Sequence, residues 1–459
     1  MDVLHSCRQR RRPYRPISGP RDRRAGAAHP ADRCCGEIAV KIVVFNVKYS
    51  QNLGDGLLAQ CVEAGLANGA GHIEVETIDL AGREGFGMGG NGRRQQALKV
   101  LHRLPAFARR WAVGYVLGRA LRKLRSQWDA KIATADAVVI GGGNLFQDDD
   151  LNFPMKVGTV LDCVRRHNRP LAIYAVGVSG HWSAPAARLF GRLKRTNLVH
   201  LSVRDSFALD SWRQHFPQGP EAKIVHDPGL LTRALVSDAR SSPSSRHQPT
   251  VGLCVTEPVI LQRHASQKAS AIPLRDIAEY RDLIRLLVQD GYRVRLFCNG
   301  ASEDQAFAKR IWDEPSMQHL ATTGALQLAP RPCLPEELIR ILLSTDVILA
   351  HRLHACIAAY SLGIPHVGLG WDKKVEGFFR SVGRQTYFLN GGGTSPSDIA
   401  RLLRAADSEG IESFRHRMIM SEAEAGIADM RRNLTRRDQN IVAGISPVIR
   451  NDHRAATPN

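Results

Sequence analysis

The sequence contains no run of about 18 apolar residues, which excludes a membrane-spanning helix of ordinary length. Aromatic residues make up only 6% of the chain, too few to build stacking platforms along a basic groove, so nucleic acid is not an expected partner. The nine cysteines are scattered, with no C-x-x-C pair and no zinc spacing, although Cys34 and Cys35 are adjacent. Isolated cysteines of this kind serve as small apolar fillers in a reduced, cytoplasmic chain. The H-E-x-x-H motif is missing too. His351 and His354 stand three apart without its glutamate or a third ligand, so no metal is expected. Residues 1–37 lack the apolar core of a signal peptide.

What the chain does have is positive charge, a formal +19. Residues 1–37 carry nine arginines against Asp2, Asp22, Asp32 and Glu37, and read as a disordered basic tail contributing +5. The remaining +14 lies on the body and suits an anionic substrate or an anionic surface. A length of 459 residues is enough for two full domains, and a hydrophobic content of 43% with few aromatics fits an α/β protein.

Taken in order, the fold begins at Ile38. AVKIVVFN is a buried strand, the turn at Asn52–Gly56 feeds a helix, and HIEVETIDL is the next strand. Leu98–Trp128 reads as mostly helical, interrupted near Pro105. Leu117, Leu121, Leu124 and Trp128 lie on one face and eight Lys/Arg crowd the rest, a pattern that suits peripheral contact with an anionic inner membrane. Further strands end in GGGNLF, in YAVGVSG, before Arg204–Asp205 and before Asp227–Pro228. They complete one doubly wound domain over 38–235. Residues 236–249, rich in Ser and Pro, form a linker. A second α/β domain with a terminal helix covers 250–445, and 446–459 reads as a disordered tail. The expected fold is therefore two Rossmann-like domains facing a cleft.

The most chemically loaded stretch is 346–383. A strand over Val347–Ala350 runs into His351, Arg352, Leu353 and His354, and a second strand runs into Asp372, Lys373 and Lys374. Ligands of parallel sheets sit beyond the carboxyl ends of strands, so these clusters make an anion site with a proton carrier inside it. Gly142, Gly143 and Asn144 occupy the turn after another strand, where glycines serve either a ligand or mere close packing. Asp55 is either a helix-start residue or a group reaching the cleft.

Together N-L-G-D-G, GGGNLF, YAVGVS, S-V-R-D-S-F-A-L, H-D-P and R-L-H…LGIPHVGLGWDKK resemble the polysaccharide pyruvyl transferase family, over about residues 42–385. The resemblance implies a GT-B-like two-domain fold. It also implies transfer of pyruvate from phosphoenolpyruvate to a sugar diol, with phosphoenolpyruvate as a substrate and no cofactor. The acceptor would be a polysaccharide or its polyprenyl-linked precursor. It implies a donor site of Arg204, Arg352 and His354, lined by Leu353. The chemistry agrees independently, because planar Arg forks bind phosphate and carboxylate and a histidine carries protons near pH 7. His354 is the expected acid/base, with Asp55 assisting; Gly142, Gly143, Asn144, Asp372, Lys373 and Lys374 complete the expected binding set. Two other classes stay open: a glycosyltransferase using a sugar nucleotide, which would show an acidic residue for the ribose, and a non-enzymatic nucleic-acid-binding protein.

Overall fold

The computed structural model describes residues 39–68, 73–87, 106–236, 248–264, 272–391 and 393–436. The tails, the centre of the linker and residues 98–105 of the basic helical stretch lie outside the described residues.

Two six-stranded, wholly parallel sheets form the frame. The first contains β1 (Val40–Asn46), β2 (Ile73–Asp79), β3 (Ala137–Phe146), β4 (Leu171–Val178), β5 (Leu198–Val203) and β6 (Lys223–Ile224), ordered β2-β1-β3-β4-β5-β6. The second contains β7 (Thr250–Cys254), β8 (Arg293–Phe297), β9 (Leu326–Leu328), β10 (Val347–Ala350), β11 (His366–Leu369) and β12 (Phe388–Leu389), ordered β12-β11-β10-β7-β8-β9. Strand order reverses between β1 and β3 in one sheet and between β7 and β10 in the other. Such reversals open a crevice at the carboxyl ends, where ligands bind.

Covered parallel sheets need apolar residues on both faces, and the strands comply. Ile42 and Val44 enter the larger core, Val43 and Phe45 the smaller one behind the first sheet. Cys61, Cys163, Cys254, Cys298 and Cys356 are buried free thiols, consistent with use as fillers.

The basic helix runs Ala106–Ala133. Its stripe faces inward: Leu121 and Trp128 are buried, Leu117 and Leu124 pack beside them, and Trp128 meets Phe45 edge-on at 5.6 Å. Sheet packing therefore consumes the face that the sequence offered to a membrane. What remains outward is Arg119, Arg122, Lys123 and Arg125, with exposed Tyr115 and Val116.

The last helix, Ser413–Thr435, returns to the first domain. Ile427 lies where a Cβ on Gly65 would be, and Arg431 donates to the Gly65 carbonyl. The domains also meet at the cleft floor. Leu53, the first residue of the helix Leu53–Ala67, donates its amide to the Asn299 carbonyl at 2.8 Å, and the Asn299 side chain donates to Asn52 Oδ1 at 3.2 Å. A helix-start amide is thus satisfied by the other domain, where an isolated helix would leave it to a cap or water.

Candidate active site

The two switch points face each other across one cleft of about 390 Å³. From the first domain come Asn52 and Asp55 after β1, Asn144, Gln147, Asp149 and Phe153 at and after the end of β3, and Arg204 after β5. From the second come Asn299 after β8, Arg352, Leu353 and His354 after β10, and Trp371, Asp372 and Lys374 after β11.

His354 sits in the first turn of the helix Leu353–Ser361. Its Nδ1 lies 3.7 Å from Asp55 Oδ1, too long for a hydrogen bond. Its Nε2 is buried without a hydrogen-bond partner. The approach depends on Gly54, where a Cβ would fall 2.6 Å from His354 Cβ. Burial, then the positive charges of Arg204, Lys374 and Arg352, push His354 down to about 3, so its imidazole is neutral at physiological pH. Burial raises Asp55, opposed by the Ser50 hydroxyl and by Lys374, Arg83 and Arg352.

Arg352 is held from behind. Its Nε and Nη2 both donate to Asp304 Oδ2, at 3.2 and 2.5 Å, while Asp304 Oδ1 accepts the Glu257 amide. Asp304 is wholly buried, and a buried carboxylate needs such partners. Arginine has five N–H donors, so three remain for a ligand. Arg204 is tethered more loosely, through Nε to Asp205 at 3.2 Å and with Nη1 4.0 Å from Asp227. Asp227 Oδ2 has no hydrogen-bond partner, and burial raises its pKa. Lys374 pairs with Asp372 at 3.0 Å and lies over the Trp371 ring at 4.7 Å.

The cleft therefore gathers Asp55, Asn144, Arg204, Arg352, Leu353, His354, Asp372 and Lys374. Three of the expected residues lie elsewhere. Lys373 is exposed and outside the cleft lining, because Asp372 caps the helix Lys373–Ser381 and only the second lysine turns inward. Gly142 and Gly143 are not in the lining either. Gly142 has φ +73 and a Cβ there would strike Leu58 at 2.7 Å, so this glycine serves strand–helix packing. His351 turns away, with Nε2 donating to the Pro273 carbonyl at 2.8 Å; burial pushes it down to about 4. Asp304, Asn299, Gln147 and Trp371 are additions that the motifs did not single out.

Two doubly wound domains with facing switch points thus share a cationic cleft, with two arginines and a lysine around a neutral histidine. The profile of the polysaccharide pyruvyl transferase family matches residues 52–373, and the chain belongs to that family of transferases. No curated protein matches the sequence. Among solved structures, the UDP-GlcNAc 2-epimerase of Methanocaldococcus jannaschii aligns over 86% of this chain and 99% of its own, at 9% identity and a TM-score of 0.44. The E. coli ADP-heptose lps heptosyltransferase II aligns over 81% and 99%, at 14% identity and a TM-score of 0.39. A UDP-glucosyltransferase from Polygonum tinctorium aligns over 88% and 100%, at 9% identity and a TM-score of 0.48.

Proposed function

We propose that this chain transfers pyruvate from phosphoenolpyruvate to two hydroxyls of a sugar, forming a ketal and releasing phosphate. One observation carries the reading: Arg204, Arg352 and Lys374 line the same cleft as His354 and Asp55. A donor with a phosphate and a carboxylate matches two guanidinium forks and an ammonium. His354 starts neutral, and the negative charge of a bound donor beside Arg204, Lys374 and Arg352 raises its proton affinity, so it acts first as a base.

In this reading the first sugar oxygen adds to C2, and its proton passes through His354 to the methylene carbon, which becomes methyl. The C2–O bond to phosphate then breaks, and Asp55 steadies the resulting cation. The second hydroxyl closes the ring, and its proton leaves with hydrogen phosphate. Two hydroxyl protons are thus accounted for, one on the methyl and one on phosphate. Cationic side chains supply the charge neutralisation, so the proposed route uses no cofactor.

The proposed acceptor is a polysaccharide precursor, polyprenyl-linked and met at the cytoplasmic face of the inner membrane. The outward Arg119, Arg122, Lys123 and Arg125 support that contact through charge, at about 1 kcal/mol per basic residue near anionic lipid. Phosphate release from phosphoenolpyruvate across a panel of lipid-linked and free oligosaccharides tests the function. Saccharide-dependent release is expected; no release with any acceptor would overturn it.

A further inference from the structure

Charge is unevenly spread around the cleft. Arg204, Arg352 and Lys374 gather on one part of the wall, whereas the segment at and after the end of β3 offers Asn144, Gln147, Asp149 and Phe153. We infer that this β3 segment is the saccharide acceptor subsite; the inference rests on the pyruvyl-transfer reading and extends it to the second substrate.

The side-chain chemistry suits a sugar. Amides and a carboxylate pair with hydroxyls as donors and acceptors together, and an aromatic ring covers the apolar C–H face of a pyranose. Asn144 Nδ2 donates to Gln147 Oε1 at 2.8 Å, fixing the two amides relative to each other and leaving Gln147 its own NH₂ group to donate. Asn152 Nδ2 donates to Asp149 Oδ2 at 3.0 Å, holding this exposed carboxylate at the rim of the cleft. Phe153 lines the cleft and packs against the smaller core, with Lys156 Nζ 5.6 Å from its ring centroid.

The position suits it equally. Gly177 on β4 is the floor between the two subsites: a Cβ there would fall 2.5 Å from Asn144 Oδ1 and 2.8 Å from Arg204 Nη2. The amide wall thus begins where the donor arginine ends. β3 also neighbours β1, and the turn after β1 leads into the helix Leu53–Ala67 that carries Asp55, so the wall and Asp55 stand at the carboxyl ends of adjacent strands. A sugar on this wall would therefore reach the donor arginine on one side and the helix of Asp55 on the other.

The segment Asp149, Asp150 and Leu151 has φ of +42, +53 and +70, left-handed backbone in three successive residues that are not glycine. Such backbone persists only when its surroundings hold it. Asp148 does so, accepting from the Leu151 amide at 3.0 Å and from the Ser183 amide at 2.8 Å. The turn sets where Asp149 and Phe153 stand.

The test is saturation-transfer NMR on the full chain with methyl glucoside, galactoside, mannoside and N-acetylglucosaminide, beside calorimetric titration with phosphoenolpyruvate. The parent should transfer saturation to at least one glycoside. Gln147→Ala and Phe153→Ala should each weaken that binding about tenfold, the worth of one polar or stacking contact, with donor affinity within twofold of the parent. Gln147 carries little packing, so its variant remains informative if Phe153→Ala destabilises the fold. Absence of transfer to any glycoside, or transfer unchanged in both variants, overturns the assignment. A parent that binds glycosides through this wall but ignores phosphoenolpyruvate would overturn the donor reading alone.

Discussion

Replacing Gly54 by Ala tests whether the domains close on each other as described. In an isolated helix the change favours folding by about 1 kcal/mol. Here the new Cβ lands 2.6 Å from His354 Cβ, 2.7 Å from Nδ1 and 2.9 Å from Cγ, where ordinary contact begins at 3.4 Å. The neighbour is the stem of a side chain only 12% exposed, which has little room to swing. Relief therefore requires the helix Leu353–Ser361 to move away from Leu53–Ala67. Overpacking of this sort costs roughly 1–3 kcal/mol, and displacing a catalytic group by about 1 Å lowers turnover about 100-fold. Gly191→Ala is the control: its φ is −59 and nothing lies within 4 Å of the added carbon. Thermal melts and turnover on both variants decide. Gly54→Ala with the parent's melting temperature and turnover would refute the close approach of Asp55 and His354.

Four further outcomes follow. His354→Ala should lower turnover roughly 10²–10⁴-fold with donor affinity kept, while Arg352→Lys should cost about 1–3 kcal/mol of donor affinity because the fork is lost; turnover and calorimetry on each variant separate the roles. Asp304→Asn should weaken donor binding through Arg352, so the double variant with Arg352→Lys should bind no worse than Arg352→Lys alone; additive losses by calorimetry would contradict that dependence. His366 is wholly buried and pushed down to about 3. Between that value and the unfolded pKa of about 6.5 the unfolded chain alone binds the proton. The parent should therefore lose stability relative to His366→Leu as pH falls below 6.5, by up to about 1.4 kcal/mol per pH unit, measured by denaturant melts at pH 7 and 5. Finally, the full chain should pellet with phosphatidylglycerol vesicles and be released by salt; equal pelleting with neutral vesicles would contradict contact through the outward arginines.

The site was legible where chemistry coincided with punctuation. Arg352 and His354 stand just after a four-residue apolar strand, and Arg204 follows β5, so each parallel sheet delivers its own residues to its carboxyl edge. Asp304 was not legible because it stands 48 residues before Arg352 and looks like any acidic residue in a helix's first turn. Lys373 and Lys374 differ only in which way a capped helix turns them, and no local pattern distinguishes the two. The stripe of Leu117, Leu121, Leu124 and Trp128 fits a membrane and a sheet equally well; only the neighbouring β1, with Phe45 waiting, settles it. Gly142 illustrates the same ambiguity at a turn, since Leu58, not a ligand, is what requires its missing side chain.

The central claim is that the arginine-lined cleft holds phosphoenolpyruvate. Calorimetric titration of the parent with phosphoenolpyruvate, and separately with a nucleotide sugar, tests it directly. The account predicts saturable heat with phosphoenolpyruvate that is weakened in Arg352→Lys, and none with the nucleotide sugar. Binding of the nucleotide sugar with no response to phosphoenolpyruvate would contradict it.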